Sequence, residues 1–200
     1  MVEETKKSHR HFRLFKPYGY LSQLSSNAKH QANSKFISEL YDFPLGTMPI
    51  GRLDKHSEGL ILLATDGKLS HEVNSSGIEK EYYVQVDGII SEDALIKLRE
   101  GVNISVNGKI YTTKKCRAIR LTEAPDLPAR GRKIRDERHG PTSWVSITLT
   151  EGKFRQVRKM TSALGFPTLR LVRVRIGSIV WNGLEVGGVE EIALLQLSLS

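Results

Sequence analysis

The sequence predicts an α+β fold built on a mainly antiparallel sheet. Three observations carry this prediction: short alternating or continuous apolar runs recur along the chain, helical patterns are few and dispersed among them, and no regular strand-helix-strand period links them. There is no internal repeat and no low-complexity segment.

Taken in order, residues His11 to Phe15 read as a strand that stops at the turn Lys16-Pro17-Tyr18-Gly19. Ser22 to Ser34 is polar and reads as a loop, followed by a short helix near Lys35 to Tyr41. Met48 to Ile50 leads into a polar loop bracketed by Gly51 and Gly59. Leu60 to Thr65 is a continuous apolar run, the pattern of a strand covered on both faces. A helix capped by Asp66 is expected to run to about Val73. Glu81 to Val86 alternates as a strand, and Ser91 to Glu100 is a helix with Ser91 as cap and Gly101 as stop. Asn107-Gly108 joins Val102 to Val106 with Lys109 to Thr113 in a hairpin. Arg117 to Leu121 is a further strand, and the Pro, Gly and Arg-rich stretch from Pro125 to Pro141 is a long loop. Ser143 to Thr150 is a strand, Lys153 to Leu164 a helix ended by Gly165, and Leu169 to Ile176 a strand.

The 200 residues are enough for one domain, expected over 11–200 after a flexible basic tail at 1–10. A chain of this size buries roughly 70% of the surface that its unfolded form exposes, ample for a cleft with a dry floor. Leu60 to Ala64, the longest apolar run near the middle, falls far short of the roughly 20 residues that a membrane-spanning helix needs. The first residues lack the apolar core of a secretory signal, and the one cysteine, Cys116, has no partner for a disulfide, so the expected compartment is a reducing cytoplasm.

Charge gives the first functional lead. Lys and Arg number 30 against 22 Asp and Glu, a formal charge of +8 and an isoelectric point near 9.6. Such a surplus points to a polyanionic partner. It is also local: Pro128 to Arg175 holds twelve basic and three acidic residues, whereas no Lys or Arg follows Arg175. A basic run on one surface is ordinarily just a solvated face. Here it spans several elements with few interspersed acids, which favours nucleic acid, and it contains no broad amphipathic helix to favour a membrane.

Asp54 is the candidate catalytic group. It sits on the glycine-bounded loop just before a buried strand, a place where a carboxylate can be held at the mouth of a cleft. Arg52 and Lys55 flank it, and nearby cations keep a carboxylate ionised, as a nucleophile or general base requires. A loop carboxylate that only bonds backbone amides explains the local pattern equally well. His9, His11, His30, His56, His71 and His139 are scattered and lack the spacing of a zinc site, and there is no dinucleotide or phosphate-loop glycine motif.

Three ordered blocks then carry a family resemblance: Gly51-Arg52-Leu53-Asp54-Lys55-His56-Ser57-Glu58-Gly59-Leu60-Ile61-Leu62-Leu63, then Lys80-Glu81-Tyr82 with Tyr83-Val84-Gln85-Val86, then Glu151-Gly152-Lys153-Phe154-Arg155-Gln156-Val157-Arg158-Lys159-Met160. With the tail Phe166 to Leu171 they resemble the pseudouridine synthases of the ribosomal small-subunit (RsuA) type, over about Phe15 to Ile176. The likeness is greatest to members that lack the S4 RNA-binding domain and act on large-subunit ribosomal RNA. Ala64-Thr65-Asp66-Gly67 departs from the usual Thr-Asn-Asp-Gly, and the acidic C-terminal end, only loosely family-like, carries no assigned role.

The resemblance implies a mixed, mainly antiparallel sheet in two lobes about a central cleft, acting on ribosomal RNA with no metal and no nucleotide or other cofactor, and a monomer suffices for that mechanism. It implies isomerisation of a uridine by Asp54, acting as nucleophile at C1′ or as base at C2′, with Arg158 as its basic partner and Tyr82 packing on the target base. Arg52 is expected to fill the space left by the flipped base or to hold a flanking phosphate. Lys153, Arg155, Lys159, Arg170, Arg173 and the Arg130 to Arg138 loop are expected to bind phosphates. Arg173 and Arg175 should share one strand face and Arg170 the other, so not all can face RNA at once. Two other readings fit parts of the pattern: an RNA-binding or ribosome-assembly protein of the same fold without catalysis, and glycoside hydrolysis by Asp54 with Glu58.

Overall fold

The computed structural model describes residues 9–67, 69, 73, 77–134 and 137–193. Residues 1–8 of the expected tail, residues 68 and 70–72 of the helix expected after Asp66, and Arg135 of the basic loop lie outside the described residues. The strands are β1 (His11–Lys16), β2 (Tyr20–Leu21), β3 (Lys35–Phe36), β4 (Met48–Ile50), β5 (Glu58–Ala64), β6 (Lys80–Asp87), β7 (Asn103–Val106), β8 (Lys109–Thr112), β9 (Arg117–Arg120), β10 (Thr142–Leu149), β11 (Thr168–Ile176), β12 (Ile179–Val180) and β13 (Val189–Ile192). Two helices, α1 (Glu92–Glu100) and α2 (Gln156–Ala163), complete the main frame.

The main sheet runs β13-β1-β5-β11-β6-β10-β9, with β4 beside β5 and β12 beside β11. Every pair in it is antiparallel except β5 with β11. That parallel contact has only two rungs, Glu58 to Val172 and Gly59 to Arg173. The sheet is therefore two antiparallel halves joined at a short seam, an α+β architecture with a mainly antiparallel sheet as the sequence predicts. The seam depends on Gly59, whose φ is +102°. A Cβ built there would lie 2.3 Å from the Arg173 carbonyl oxygen and 2.8 Å from its amide nitrogen. Only glycine lets the two backbones approach this closely.

Periodicity explains the packing on both sides of the seam. In β5 every residue is buried, and alternate side chains go to opposite faces: Leu60 and Leu62 pack with Ile50 and Ile176, Ile61 and Leu63 with Phe12 and Leu14. In β6 the inward set Tyr82, Val84 and Val86 joins β10 and the apolar faces of α1 and α2 in the largest core cluster. Ser91 caps α1 by accepting from the Ala94 amide at 3.2 Å, and Asn107 and Gly108, both at positive φ, form the tight turn between β7 and β8.

Three expectations are corrected. Lys35 to Tyr41 is not a helix: β3 pairs with β2, and only a 3-10 turn at Ile37–Glu39 follows, anchored by buried Ile37. So short a segment gains more from those contacts than from nucleating a helix. The second helix starts at Gln156 rather than Lys153, because residues 153–155 form a turn with Arg155 in the left-handed region at φ 54°. Arg173 and Arg175 do not share a face, since a bulge shifts the register so that they oppose Tyr82 and Glu81.

The acidic C-terminal end gains a structure. Strand β13 closes the outer edge of β1, and Glu191 and Glu190 pair with Arg10 and Arg13. Each of these arginines is thereby paired with a carboxylate at the sheet edge. Among the described residues no helix is long and apolar enough to cross a membrane.

Candidate active site

The loop from Gly51 to Ser57 carries Asp54 between β4 and β5, and buried polar groups hold it from behind. Ser22 Oγ accepts from the Leu53 amide at 2.9 Å and donates to the Leu53 carbonyl at 2.8 Å. Lys16, fully buried, donates through Nζ to the carbonyls of Pro17, Tyr20 and Lys55. Burial pushes its pKa down to about 7, against the opposing pull of Glu58 and Asp54. The Ser57 amide closes the turn on the Asp54 carbonyl at 3.0 Å. Both residues beside Asp54 are thus pinned while its carboxylate reaches outward. Ser22→Ala is expected to cost about 1–3 kcal/mol in stability, because it leaves the buried Leu53 amide unpaired. By letting Asp54 drift it should also slow turnover by roughly tenfold or more, measured as a rate beside a melting curve.

Two arginines face the carboxylate. Arg155 Nη1 lies 3.5 Å and Arg158 Nε 3.9 Å from Asp54 Oδ2, and the Asp54 side chain is 22% exposed. Arg158 is fixed by Nη2, which donates to the His56 carbonyl at 2.9 Å and to Ser57 Oγ at 3.3 Å. Its buried Nε has no hydrogen-bond partner. The His56 ring stacks on Tyr18, centroids 5.1 Å apart, and Arg130 lies over that tyrosine at 4.3 Å. Burial first, then the neighbouring Arg158, Lys55, Arg155 and Arg132, lower the His56 pKa, favouring a neutral ring in this stack.

Asp54, Tyr82, Arg52, Lys153 and Arg155 line one inner pocket of about 70 Å³, whose apolar floor is Leu53, Leu149, Val157 and Leu171. It adjoins an outer cleft of about 600 Å³ that shares Arg52, Asp54, Lys153 and Arg155 and adds Lys55 and Phe154. Five of the sequence candidates therefore meet around one opening, and Arg158 approaches Asp54 beside it. Lys159 lines neither space itself; it donates to the Ser105 carbonyl at 2.7 Å.

Arg170 and Arg173 are corrected. Arg170 is buried against Glu58, with two nitrogen-to-oxygen contacts of 3.2 and 3.0 Å, and also donates to the Pro128 carbonyl. Arg173 is 2% exposed and donates to the Leu60 carbonyl across the seam. Neither reaches a phosphate in this arrangement; they tie the two half-sheets together. Arg130, at the start of the basic loop, also turns inward, 3.4 Å from Glu58. Glu58 is 2% exposed and held by both arginines, so it is not a second carboxylate facing the cleft. The two-carboxylate hydrolase reading loses its geometry.

Sequence reasoning passed over Ser22, Lys16 and Glu151. Glu151 accepts from the Tyr111 hydroxyl, the Lys114 amide at 2.9 Å and Gln156 Nε2 at 2.6 Å, clamping the β7-β8 hairpin to the cleft. Burial raises its pKa, but these hydrogen bonds outweigh burial and leave it below the ordinary value. Its place in the third sequence block was the only signal; Ser22 offered none.

Residues 11–163 match the protein family described as RNA pseudouridylate synthase. The chain is similar to the ribosomal large subunit pseudouridine synthase E of Vibrio parahaemolyticus serotype O3:K6, 38% identical over 183 residues that cover 90% of this chain and 72% of the relative. It is similar to the protein of the same name from Xanthomonas axonopodis pv. citri, 40% identical over 166 residues, with 82% and 84% covered. A crystal structure of a pseudouridylate synthase superposes with a TM-score of 0.72 at 28% identity, over 93% of this chain and 71% of that one.

Proposed function

The chain belongs to the RNA pseudouridylate synthase family, and from that premise we propose that it isomerises one uridine of large-subunit ribosomal RNA to pseudouridine, with Asp54 as the catalytic carboxylate. The ribosomal target rests on the names of the relatives. The observation that carries the site is the Asp54 carboxylate, set between Arg155 and Arg158 at an opening that Tyr82 also lines. In the reaction the N-glycosidic bond breaks, the uracil turns, and C1′ is rejoined through C5, whose proton is then lost as N1 gains one. Asp54 starts it either by attacking C1′ or by taking a C2′ proton, and in both routes a carboxylate oxygen supplies the electron pair while Arg155 and Arg158 lie against the carboxylate. Extruding the uridine costs a few kcal/mol, and the Tyr82 ring offsets part of this by packing on the base. Arg52, exposed on the rim, fills the gap left in the RNA or holds a flanking phosphate.

With Arg130, Arg170 and Arg173 turned inward, the phosphate-binding set is Arg52, Lys55, Lys153 and Arg155, with Lys159 and the exposed Arg132 and Lys133 beside them. At roughly four to six phosphate contacts, affinity for single-stranded RNA should fall about a hundredfold between about 50 and 200 mM salt. A titration at several salt concentrations reads that slope directly.

The decisive experiment incubates the protein, with no added cofactor, with total RNA, ribosomal and transfer, from a strain lacking its gene, and maps pseudouridines in each. One restored modification in large-subunit RNA is expected. Release of free uracil, or modification confined to transfer RNA, would overturn the proposal.

A further inference from the structure

The outer cleft has one wall that the isomerisation does not use. Phe154 stands there 67% exposed, between Lys153 and Arg155, on the cleft that contains Asp54 and Arg52. Other apolar residues are as exposed or more so, Leu45 and Ile110 among them, but they line neither the cleft nor the pocket within it.

The backbone presents this ring firmly. Arg155 occupies the left-handed region, which turns the chain immediately after Phe154. The Gln156 amide donates to the Lys153 carbonyl at 3.1 Å, and the Lys153 amide donates to Gln156 Oε1 at 2.9 Å. Gln156 is itself buried and bonded to Glu151, so the loop is fastened to the hairpin clamp. Lys159 lies over the ring at 5.3 Å, and at 67% exposure the ring keeps an open face. An aromatic face held out among cations, beside a groove, is the arrangement that stacks a nucleobase while the neighbouring charges take its phosphates. Bases of every kind offer such a face, so the platform suits an unpaired nucleotide and not one inside a continuous duplex.

We propose that Phe154 is a stacking platform for an unpaired nucleotide adjacent to the target uridine, and so a positioning residue that selects uridines in loops or bulges. This rests on the RNA-modifying reading of the cleft and names a part of the substrate which that reading leaves open. The flanking base, held on Phe154, fixes the backbone on one side of the uridine while the uridine itself enters the pocket of Tyr82 and Asp54.

The test uses a short single-stranded RNA with one uridine next to 2-aminopurine, whose fluorescence is quenched by stacking, and the variants Phe154→Ala, Phe154→Leu and Phe154→Trp. Wild type and Phe154→Trp should bind and quench; Phe154→Ala and Phe154→Leu should each lose about tenfold in affinity together with the quench, the size of one lost base stack. On ribosomal RNA the same loss should appear in KM more than in kcat, with melting temperatures unchanged at so exposed a position. If Phe154→Leu binds and quenches like wild type, or Phe154→Ala binds within twofold, the platform is refuted while the Asp54 assignment stands. If wild-type protein fails to bind RNA at all, the underlying reading falls, and the platform with it.

Discussion

Asp54→Asn should abolish pseudouridine formation, lowering the rate by roughly a thousandfold or more, as loss of a catalytic carboxylate does. Affinity for RNA should stay within about threefold, because phosphate contacts from the surrounding cations set most of it. Asparagine has nearly the same shape and keeps one oxygen for Arg155 and Arg158, so the loop pinned by Ser22 and Lys16 should stay in place. What disappears is the negative charge, and with it both the attack on C1′ and the capture of a C2′ proton. Quantifying pseudouridine in treated ribosomal RNA, beside a binding titration, separates the two effects. Retained activity would remove Asp54 from the chemistry, and an inactive wild type that binds RNA tightly would favour the non-catalytic reading.

Gly59→Ala should be the most damaging single methyl in the fold, at about 3–5 kcal/mol. Positive φ accounts for only part of that cost. The remainder is steric, since the new Cβ would meet Arg173 backbone atoms at 2.3 and 2.8 Å, and backbone cannot swing aside as a side chain can. Gly183→Ala is the natural control: its φ is +74° but nothing lies within 4 Å of the new Cβ, so it should cost only about 1 kcal/mol. For a chain of this length the Gly59 variant should melt roughly 10 °C lower, with activity falling further because the Asp54 loop leads straight into the seam. Thermal unfolding of both variants decides it: equal shifts would mean that conformation, and not close approach, sets the requirement.

The strands and their order of appearance were legible in the sequence wherever pattern and packing agree. The unbroken apolar run in β5, the alternation in β6, the Ser91 cap and the Asn107-Gly108 turn are local signals that tertiary contacts only reinforced. The misread segments are those where partners distant in sequence decide. Lys35 and Phe36 become a strand because β2 is beside them, and α2 starts late because Gln156 folds back on Lys153 and Glu151. At the site, the residue types around Asp54 were visible as a block, but which arginines face outward was not. Arg170 and Arg173 look like surface cations by composition, yet the bulged register of β11 sends one to Glu58 and the other into the seam. Burial of a long basic side chain depends on an acceptor more than a hundred residues away, and no local window contains that information.

The order in which the chain is synthesised gives the β1 edge a further significance. Strand β1 is made before both of its partners: β5 can pair with one side of it soon afterwards, but the other side must wait for β13. Throughout that interval a nascent chain carries an open edge on an apolar strand, the kind of surface that recruits a second copy into aggregates. Arg10 and Arg13 lie at that edge with Glu190 and Glu191 not yet made, so two unfinished copies would meet there as like charges. The arginines that fasten the completed edge thus also act as gatekeepers for the incomplete one.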